Sequence, residues 1–330
     1  MGPFSRLALL GAAALLMAAT AQSWQWVLPA DVRPPYVPYD NPMSAEKTEL
    51  GRRLFYDADL SIDGTMSCAT CHEQHRAFAD GNATHSGVHG DPGRRNVPGL
   101  ANVAWMKVLT WGNPKIQSLE RQAAVPITGK KPVEMGMAGH ENEIARRLGK
   151  DSCYRTMFAR AFPGETAIDF AQVAKALAAF ERTLVSLDTP YDAWRRGNRA
   201  VLSPDAQRGA SLFAHDCSAC HSGLLLSDGK YHRVVASSAS DPGLGEITGR
   251  LADVGRFRTP SLRNVALTGP YLHDGSAKTV VDAVRRHPRT ATLSASKMDS
   301  LSAFMNALTD YRLVKDERFS LPTEACGKRL

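Results

Sequence analysis

Apolar residues recur every three or four positions through most of this 330-residue chain, and alternating runs are few, so the pattern predicts a mainly α fold. Ser44 has the character of an N-cap for a helix over 45–56, with Leu50, Leu54 and Phe55 on one face. Ser203-Pro204 supplies a second N-cap, with proline at the first helical position, for a helix over 205–214. Between them, Val173, Leu177, Phe180, Leu184 and Leu187 define one long amphipathic helix that Asp188-Thr189-Pro190 stops. A further helix is expected over 280–287, ended by Pro288, and a last one over 296–311. Residues 22–43, rich in proline and aromatics, predict an extended strap; residues 227–256, rich in Gly, Ser and Asp, predict a long surface loop.

The segments Leu50-Gly51-Arg52-Arg53-Leu54-Phe55 and Arg208-Gly209-Ala210-Ser211-Leu212-Phe213 form a weak internal repeat. With a Cys-x-x-Cys-His motif following each copy, at 68–72 and 217–221, it suggests two cytochrome-like domains of a few helices each, divided near residue 195 into 22–195 and 196–330. Ahead of them, Arg6, the apolar run 7–19 and Ala19-Thr20-Ala21 fit a secretory leader cleaved before Gln22. That run is short for a membrane span, and no other apolar stretch is long enough, so export to the periplasm without a span in the mature chain is expected. The formal net charge is +7, and Arg6 is the only charged residue of the leader, so cleavage leaves +6. The basic residues are dispersed with no basic block, which argues against a nucleic-acid partner.

Composition alone assigns no chemistry, but two short motifs do. Cys68-Ala69-Thr70-Cys71-His72 and Cys217-Ser218-Ala219-Cys220-His221 are complete C-x-x-C-H motifs, one in each predicted domain. Two thiols at this spacing can add across the vinyl groups of a haem, and the adjoining imidazole then serves as proximal iron ligand. Zinc also binds Cys and His but does not need His directly after the second Cys, so two covalent c-type haems are the expected cofactors. Cys153 and Cys326 remain. An oxidising compartment permits a disulfide between them, and two inert thiols are the alternative.

A haem with both axial positions filled moves electrons, whereas one with an open position can bind peroxide. His287 shares a helix face with Val280 and Val284 and should point inward, where it could ligate iron, balance the helix dipole or bond a carbonyl. Met298 and Met305 lie at helical spacing with Leu301 and Leu308, and core packing is their expected role.

The chain resembles the bacterial dihaem cytochrome c peroxidase and MauG family over nearly all of its mature length. The resemblance rests on both haem motifs, residues 50–61, Arg95-Asn96, 119–122, Glu134-Met135-Gly136 and above all 257–275, FRTPSLRNVALTGPYLHDG. Within the family it is most similar to MbnH-like dihaem enzymes. The resemblance implies that His72 is proximal ligand of a first, peroxide-reactive haem and His221 that of a second, electron-relaying haem. The second haem's distal ligand falls fourteen residues after His273, at His287, where the peroxidases carry Met and MauG carries Tyr. It further implies that Trp111 lies between the haems, that Gln122 and Glu134 line the peroxide pocket, and that Asn96 with the carbonyls of Thr268 and Pro270 binds calcium. Two extra residues precede Glu134 relative to the family pattern. His89 or His85 lies near the position where some members carry a mobile distal His.

The expected activity is reaction with H2O2 to form high-valent haem iron, followed by oxidation of a residue, with tryptophan the candidate, on a partner protein. The alternatives are a peroxidase drawing electrons from a small donor protein, and a dihaem electron carrier without catalysis.

Overall fold

The computed structural model describes residues 24–165, 167–234 and 241–329, so the leader expected over 1–21 lies outside the described residues. The helices are α1 Ala45–Phe55, α2 Cys68–Cys71, α3 Leu119–Thr128, α4 Glu141–Leu148, α5 Ser152–Ala161, α6 Phe170–Arg182, α7 Pro190–Arg195, α8 Pro204–Asp216, α9 Gly245–Thr248, α10 Val280–Arg285 and α11 Ala295–Asn306. Strand content is slight: β1 Tyr231–His232 pairs antiparallel with β2 Phe257–Arg258, and β3 Glu324–Ala325 with β4 Lys328–Arg329. The fold is mainly α, as the periodicity predicts.

Two larger cores form, one under each haem motif. The first gathers Leu50, Leu54, Phe55, Phe78, Val173, Leu177 and Phe180, all fully buried, and takes in Leu313 and Phe319 from the C-terminal tail. Each such side chain stabilises the fold by about 1.5–3 kcal/mol relative to exposure. The second packs Phe213, Leu301, Phe304, Met305 and Leu308 with Tyr191, Val280 and Val284.

The internal repeat marks how each core closes. A Cβ on Gly51 of α1 would lie 1.9 Å from the carbonyl oxygen of Ala176 on α6, and one on Gly209 of α8 would lie 2.0 Å from that of Ser300 on α11. In both cores a glycine therefore lets two helix backbones touch.

A second pair of equivalents was not read from the sequence. Asn102 and Asn264 are fully buried, share left-handed backbone with φ 61° at both, and each precedes a short 3₁₀ turn. Asn102 N–H donates to the Leu184 carbonyl and Asn264 N–H to that of Leu308. The Asn102 side-chain oxygen accepts from Ser186 N–H, and that of Asn264 from Asp310 N–H, both at 2.8 Å. Each asparagine thus fastens the chain leaving one core helix.

Several boundaries differ from expectation. The long helix over 173–187 ends at Arg182, where the Thr183 hydroxyl bonds the Phe180 carbonyl at 2.6 Å; Leu184 and Leu187 stay buried in extended chain. The last helix stops at Asn306, well short of Tyr311, and α10 stops two residues before His287. Residues 227–256 are not simply a surface loop, because they contain β1 and α9 and bury Asp241 and Asp253. Cys153 and Cys326 form a disulfide with Cα atoms 5.7 Å apart, which ties the C-terminal tail to α5.

Candidate haem centres

Each C-x-x-C-H motif winds into a single turn, placing its cysteines and histidine close together. His72 N–H donates to the Cys68 carbonyl and His221 N–H to that of Cys217, both at 2.9 Å. Burial pushes the Cys71 thiol up to about 12 and the Cys217 thiol up to about 11, so neither is a thiolate at neutral pH. All four motif cysteines stand unpaired, while Cys153 and Cys326 are joined.

The imidazoles are aimed by backbone. Nδ1 of His72 lies 2.7 Å from the Phe78 carbonyl, and Nδ1 of His221 lies 3.1 Å from that of Leu226. A carbonyl only accepts, so Nδ1 carries the proton and Nε2 keeps its lone pair, the tautomer a metal requires. Phe78 and Leu226 are both left-handed, at φ 62° and 51°, which non-glycine residues adopt only when the surroundings impose it. Burial lowers both histidines, His221 to about 4, so the rings are neutral.

A cavity of about 520 Å³ opens against His221. Its walls are mostly apolar, with Val280, Val284 and Met305 from the second core among them. His287 stands across it from His221, with ring centres 6.4 Å apart and planes at 61°. Its Nδ1 is held 2.9 Å from the Ala283 carbonyl, so it too offers Nε2. An iron bonded to both rings at about 2 Å per bond would set the two nitrogens about 4 Å apart, and the remaining distance matches the two half-rings. Met298 and Met305 are buried in packing positions.

Arg258, which no single motif had singled out, is 4% exposed and donates to the carbonyls of Thr110 and Thr259. It has no carboxylate partner among the described residues, and burial lowers its pKa to about 10. A buried cation without a counter-charge beside an apolar cavity fits a ligand that carries carboxylates, as haem does through its propionates. The donor set, the orphaned cation and the cavity all suit haem.

Trp111 and Asn96 line the same cavity, joined by a 2.8 Å bond from the Trp111 indole N–H to the Asn96 carbonyl. Ala77, next to the residue that anchors His72, lines it as well, so the cavity that Trp111 borders extends from the second motif to the chain beside the first. Thr268 and Pro270 also border the cavity, and Asn96 N–H bonds the His273 carbonyl at 2.8 Å.

On the side of the first motif, Gln122 lies on α3, and its buried Oε1 has no hydrogen-bond partner. Glu134 lies on a segment stitched to the same helix, with Met135 N–H on the Pro126 carbonyl and Met137 N–H on that of Ile127, both at 2.9 Å. Burial raises the Glu134 carboxyl above its ordinary value, partly offset by His85. Near it, His85 Nδ1 bonds the buried Asp80 carboxylate at 2.5 Å, whereas His89 is exposed. Glu181 on α6 is a buried acid beside Cys68 that the sequence reading missed.

Residues 45–200 match the family model described as di-haem cytochrome c peroxidase. The chain is 37% identical to the methylamine utilization protein MauG of Methylorubrum extorquens over 249 residues, 74% of this chain and 69% of that one. It is 32% identical to the cytochrome c551 peroxidase of Nitrosomonas europaea, covering 81% of each chain. A solved structure of a MauG-like protein associated with microbial copper homeostasis superposes with a TM-score of 0.85 at 38% identity, covering 91% of this chain and 99% of that one. The chain belongs to the di-haem cytochrome c peroxidase and MauG family, H2O2-dependent oxidoreductases that carry two c-type haems.

Proposed function

We propose that this enzyme uses H2O2 to oxidise a residue, tryptophan being the candidate, on a partner protein, in the manner of MauG rather than of an electron-fed peroxidase. The observation that carries this reading is His287 facing His221. Imidazole stabilises ferric iron, whereas a thioether raises the potential. His221 and His287 would together hold a second haem that accepts electrons from a donor cytochrome poorly and suits retention of oxidising equivalents. The MauG-like relative associated with copper homeostasis supports a partner in copper handling.

When bound, the two haems supply the redox chemistry, taking the two oxidising equivalents of peroxide. Cys68 and Cys71 would hold the first through thioethers with His72 on its iron; Cys217 and Cys220 would hold the second, with His221 and His287 on its iron. Gln122, with an amide oxygen left unsatisfied, orients peroxide in the first pocket. Glu134 takes a proton from one peroxide oxygen and returns it to the other, a role its raised pKa and burial suit. Trp111, which lines the cavity that Ala77 also borders, relays electrons between the two haems. Asn96 with the carbonyls of Thr268 and Pro270 forms the calcium site, whose oxygen-only donors fit that hard cation. The leader 1–21 directs export to the periplasm, and among the described residues no helix is long and apolar enough to cross a membrane.

The relatives named cytochrome c peroxidase favour a second reading, turnover of H2O2 to water with electrons from a small donor protein. Stoichiometric H2O2 added to the diferric protein separates the two. A near-infrared charge-resonance band that persists without reductant is expected. Rapid turnover with reduced cytochrome c, and no persistent band, would replace the first reading with the second.

A further inference from the structure

We propose that Arg263, locked by Asp192 of α7, is a positioning residue for the second haem: it braces the loop whose carbonyl aims His221. The inference rests on His221 as that haem's proximal ligand and goes beyond it to a pair of residues with no part in the reading above.

His221 is aimed by one atom. Its Nδ1 lies 3.1 Å from the carbonyl oxygen of Leu226, a buried residue with left-handed backbone at φ 51°. A non-glycine residue stays in that region only where its surroundings hold it. Here they do so through the segment 259–263. Arg263 Nε donates to the Leu224 carbonyl at 2.5 Å, and the Ser261 hydroxyl donates to that of Leu225 at 2.7 Å. Beyond the turn, the Ser227 hydroxyl donates to the Thr259 carbonyl at 2.7 Å. Two successive carbonyls are thus taken by side chains, and the next, that of Leu226, is left facing His221.

Arg263 is itself held from the other side. Its Nη1 meets Asp192 Oδ2 at 2.8 Å and its Nη2 meets Oδ1 at 2.9 Å, and Nη1 also donates to the Ser186 carbonyl at 3.2 Å. Arg263 is 5% exposed and Asp192 6%. A planar guanidinium gripped at both Nη atoms has its direction fixed as well as its distance. Asp192 in turn accepts from the Thr189 N–H and hydroxyl at 3.1 and 2.8 Å, which closes the first turn of α7. Burial pushes the Asp192 carboxyl up, but the bonds and charge of Arg263 outweigh it and hold the group below its ordinary value, so the pair is ionised. The Ser186 carbonyl also accepts from the Asn102 amide at 2.8 Å, so the brace ends in the first half of the chain.

The first motif is built differently. Its loop closes on its own backbone, with Glu73 N–H on the Ala79 carbonyl, Phe78 N–H on that of Glu73 and Ala79 N–H on that of Arg76. Loosening Arg263 should therefore reach one proximal imidazole and leave the other alone. A hydrogen bond from Nδ1–H makes an imidazole a more basic ligand, which favours ferric iron. If the Leu226 carbonyl drifts, His221 becomes the weaker donor and the ferrous state gains.

The test compares the holoprotein with Arg263→Lys and Ser261→Ala. The lysine keeps a charge opposite Asp192 but cannot form the fork and reach Leu224 together; the alanine removes one loop bond and leaves the ion pair whole. Spectroelectrochemical titration should find the second haem's midpoint potential raised in both, more in Arg263→Lys. Electron paramagnetic resonance should find its low-spin g values shifted, with the first haem's potential and signal unchanged. If both variants keep the parent's second-haem potential and g values, the loop does not need the brace and the proposal is wrong. Shifts of equal size at both haems would make the pair a general support of the fold and overturn it as well. His221→Ala is the reference: should it retain the second haem's low-spin signal, the reading of His221 falls and the brace with it. If Arg263→Lys does not fold, Ser261→Ala carries the test alone.

Discussion

His287 faces His221 across the cavity with ring centres 6.4 Å apart, and both rings are turned by backbone carbonyls, those of Ala283 and Leu226. Two imidazoles whose Nδ1 atoms are taken up by backbone carbonyls turn their Nε2 atoms into an apolar cavity that offers them little else to bond. An ion between them resolves that. The ring of His287 is fixed by the chain leaving α10, whose last helical residue is Arg285 and whose path Pro288 then diverts.

Replacing His287 by Ala should abolish the low-spin bis-histidine signal of the second haem in electron paramagnetic resonance and leave the first haem's signal in place. His287→Met should retain six-coordination and raise the second haem's potential, because a thioether favours ferrous iron. The Met variant should then turn over H2O2 faster with reduced cytochrome c and lose the persistent near-infrared band sooner. A resting low-spin signal that survives His287→Ala would assign the ligand to another residue.

Glu134 sets an acid limb. To take a proton from peroxide it must be ionised, and burial raises its pKa above the ordinary 4.5. The rate of the peroxide reaction should therefore fall as pH drops through a midpoint above 4.5, and Glu134→Gln should remove that limb while lowering the plateau by about 10²–10⁴-fold. Stopped-flow mixing with H2O2 across pH 4–8 reads both. A limb that persists in Glu134→Gln belongs to a different group.

Glu181 should make stability depend on pH in the opposite sense to most carboxylates. Burial pushes it up to about 8, with Glu120 adding to the rise and Arg182 opposing it. Between its unfolded value near 4.5 and about 8, the folded chain holds a proton that the unfolded chain has lost, so stability falls as pH rises through that window and levels above it. Glu181→Gln should flatten this slope and stabilise the protein at pH 8, by an upper bound on the order of 5 kcal/mol from the cost of about 1.4 kcal/mol per unit. Thermal melts of the two proteins at pH 5 and pH 8 provide the comparison; parallel slopes would refute it.

The elements that the sequence announced clearly were those with both a cap and a periodic face. Ser44 accepts from Lys47 N–H and Ser203 from Ala206 N–H, and the helices they start were legible to within a few residues. Helix ends were harder, because burial outlasts helicity: Leu184 and Leu187 continue the apolar period of α6 after Thr183 has ended it. The haem motifs were legible because their chemistry fixes a spacing of cysteines and histidine. Asp80, Arg258 and Glu181 were not, because their significance lies in partners or their lack, brought together by chain folding. The Cys153–Cys326 disulfide was legible only as one of two alternatives, because the cysteines are 173 residues apart and meet only when the tail returns to α5. Half of the internal repeat was readable through Gly51 and Gly209, whereas Asn102 and Asn264 are equivalent only in what their side chains bind.

That repeat gives the last prediction, which turns on a sign. In an exposed helix interior, Gly→Ala stabilises by about 0.8–1.0 kcal/mol, since Ala loses less backbone entropy. At Gly51 and Gly209 the added methyl would instead meet the carbonyl oxygens of Ala176 and Ser300, backbone atoms that cannot swing aside as a side chain could. Pushing α1 off α6, or α8 off α11, loosens the layers that carry Cys68 and Cys217. Gly51→Ala and Gly209→Ala should therefore each destabilise, by about 1–3 kcal/mol as for other overpacked cores. Because α8 runs directly into Cys217, Gly209→Ala should also disturb the low-spin signal of the second haem, whereas Gly51→Ala should act on the first. Denaturant unfolding read by haem absorbance and by circular dichroism measures both effects. A rise in midpoint for either variant would mean that the helices separate without cost and that close backbone contact is not what the repeated glycine provides.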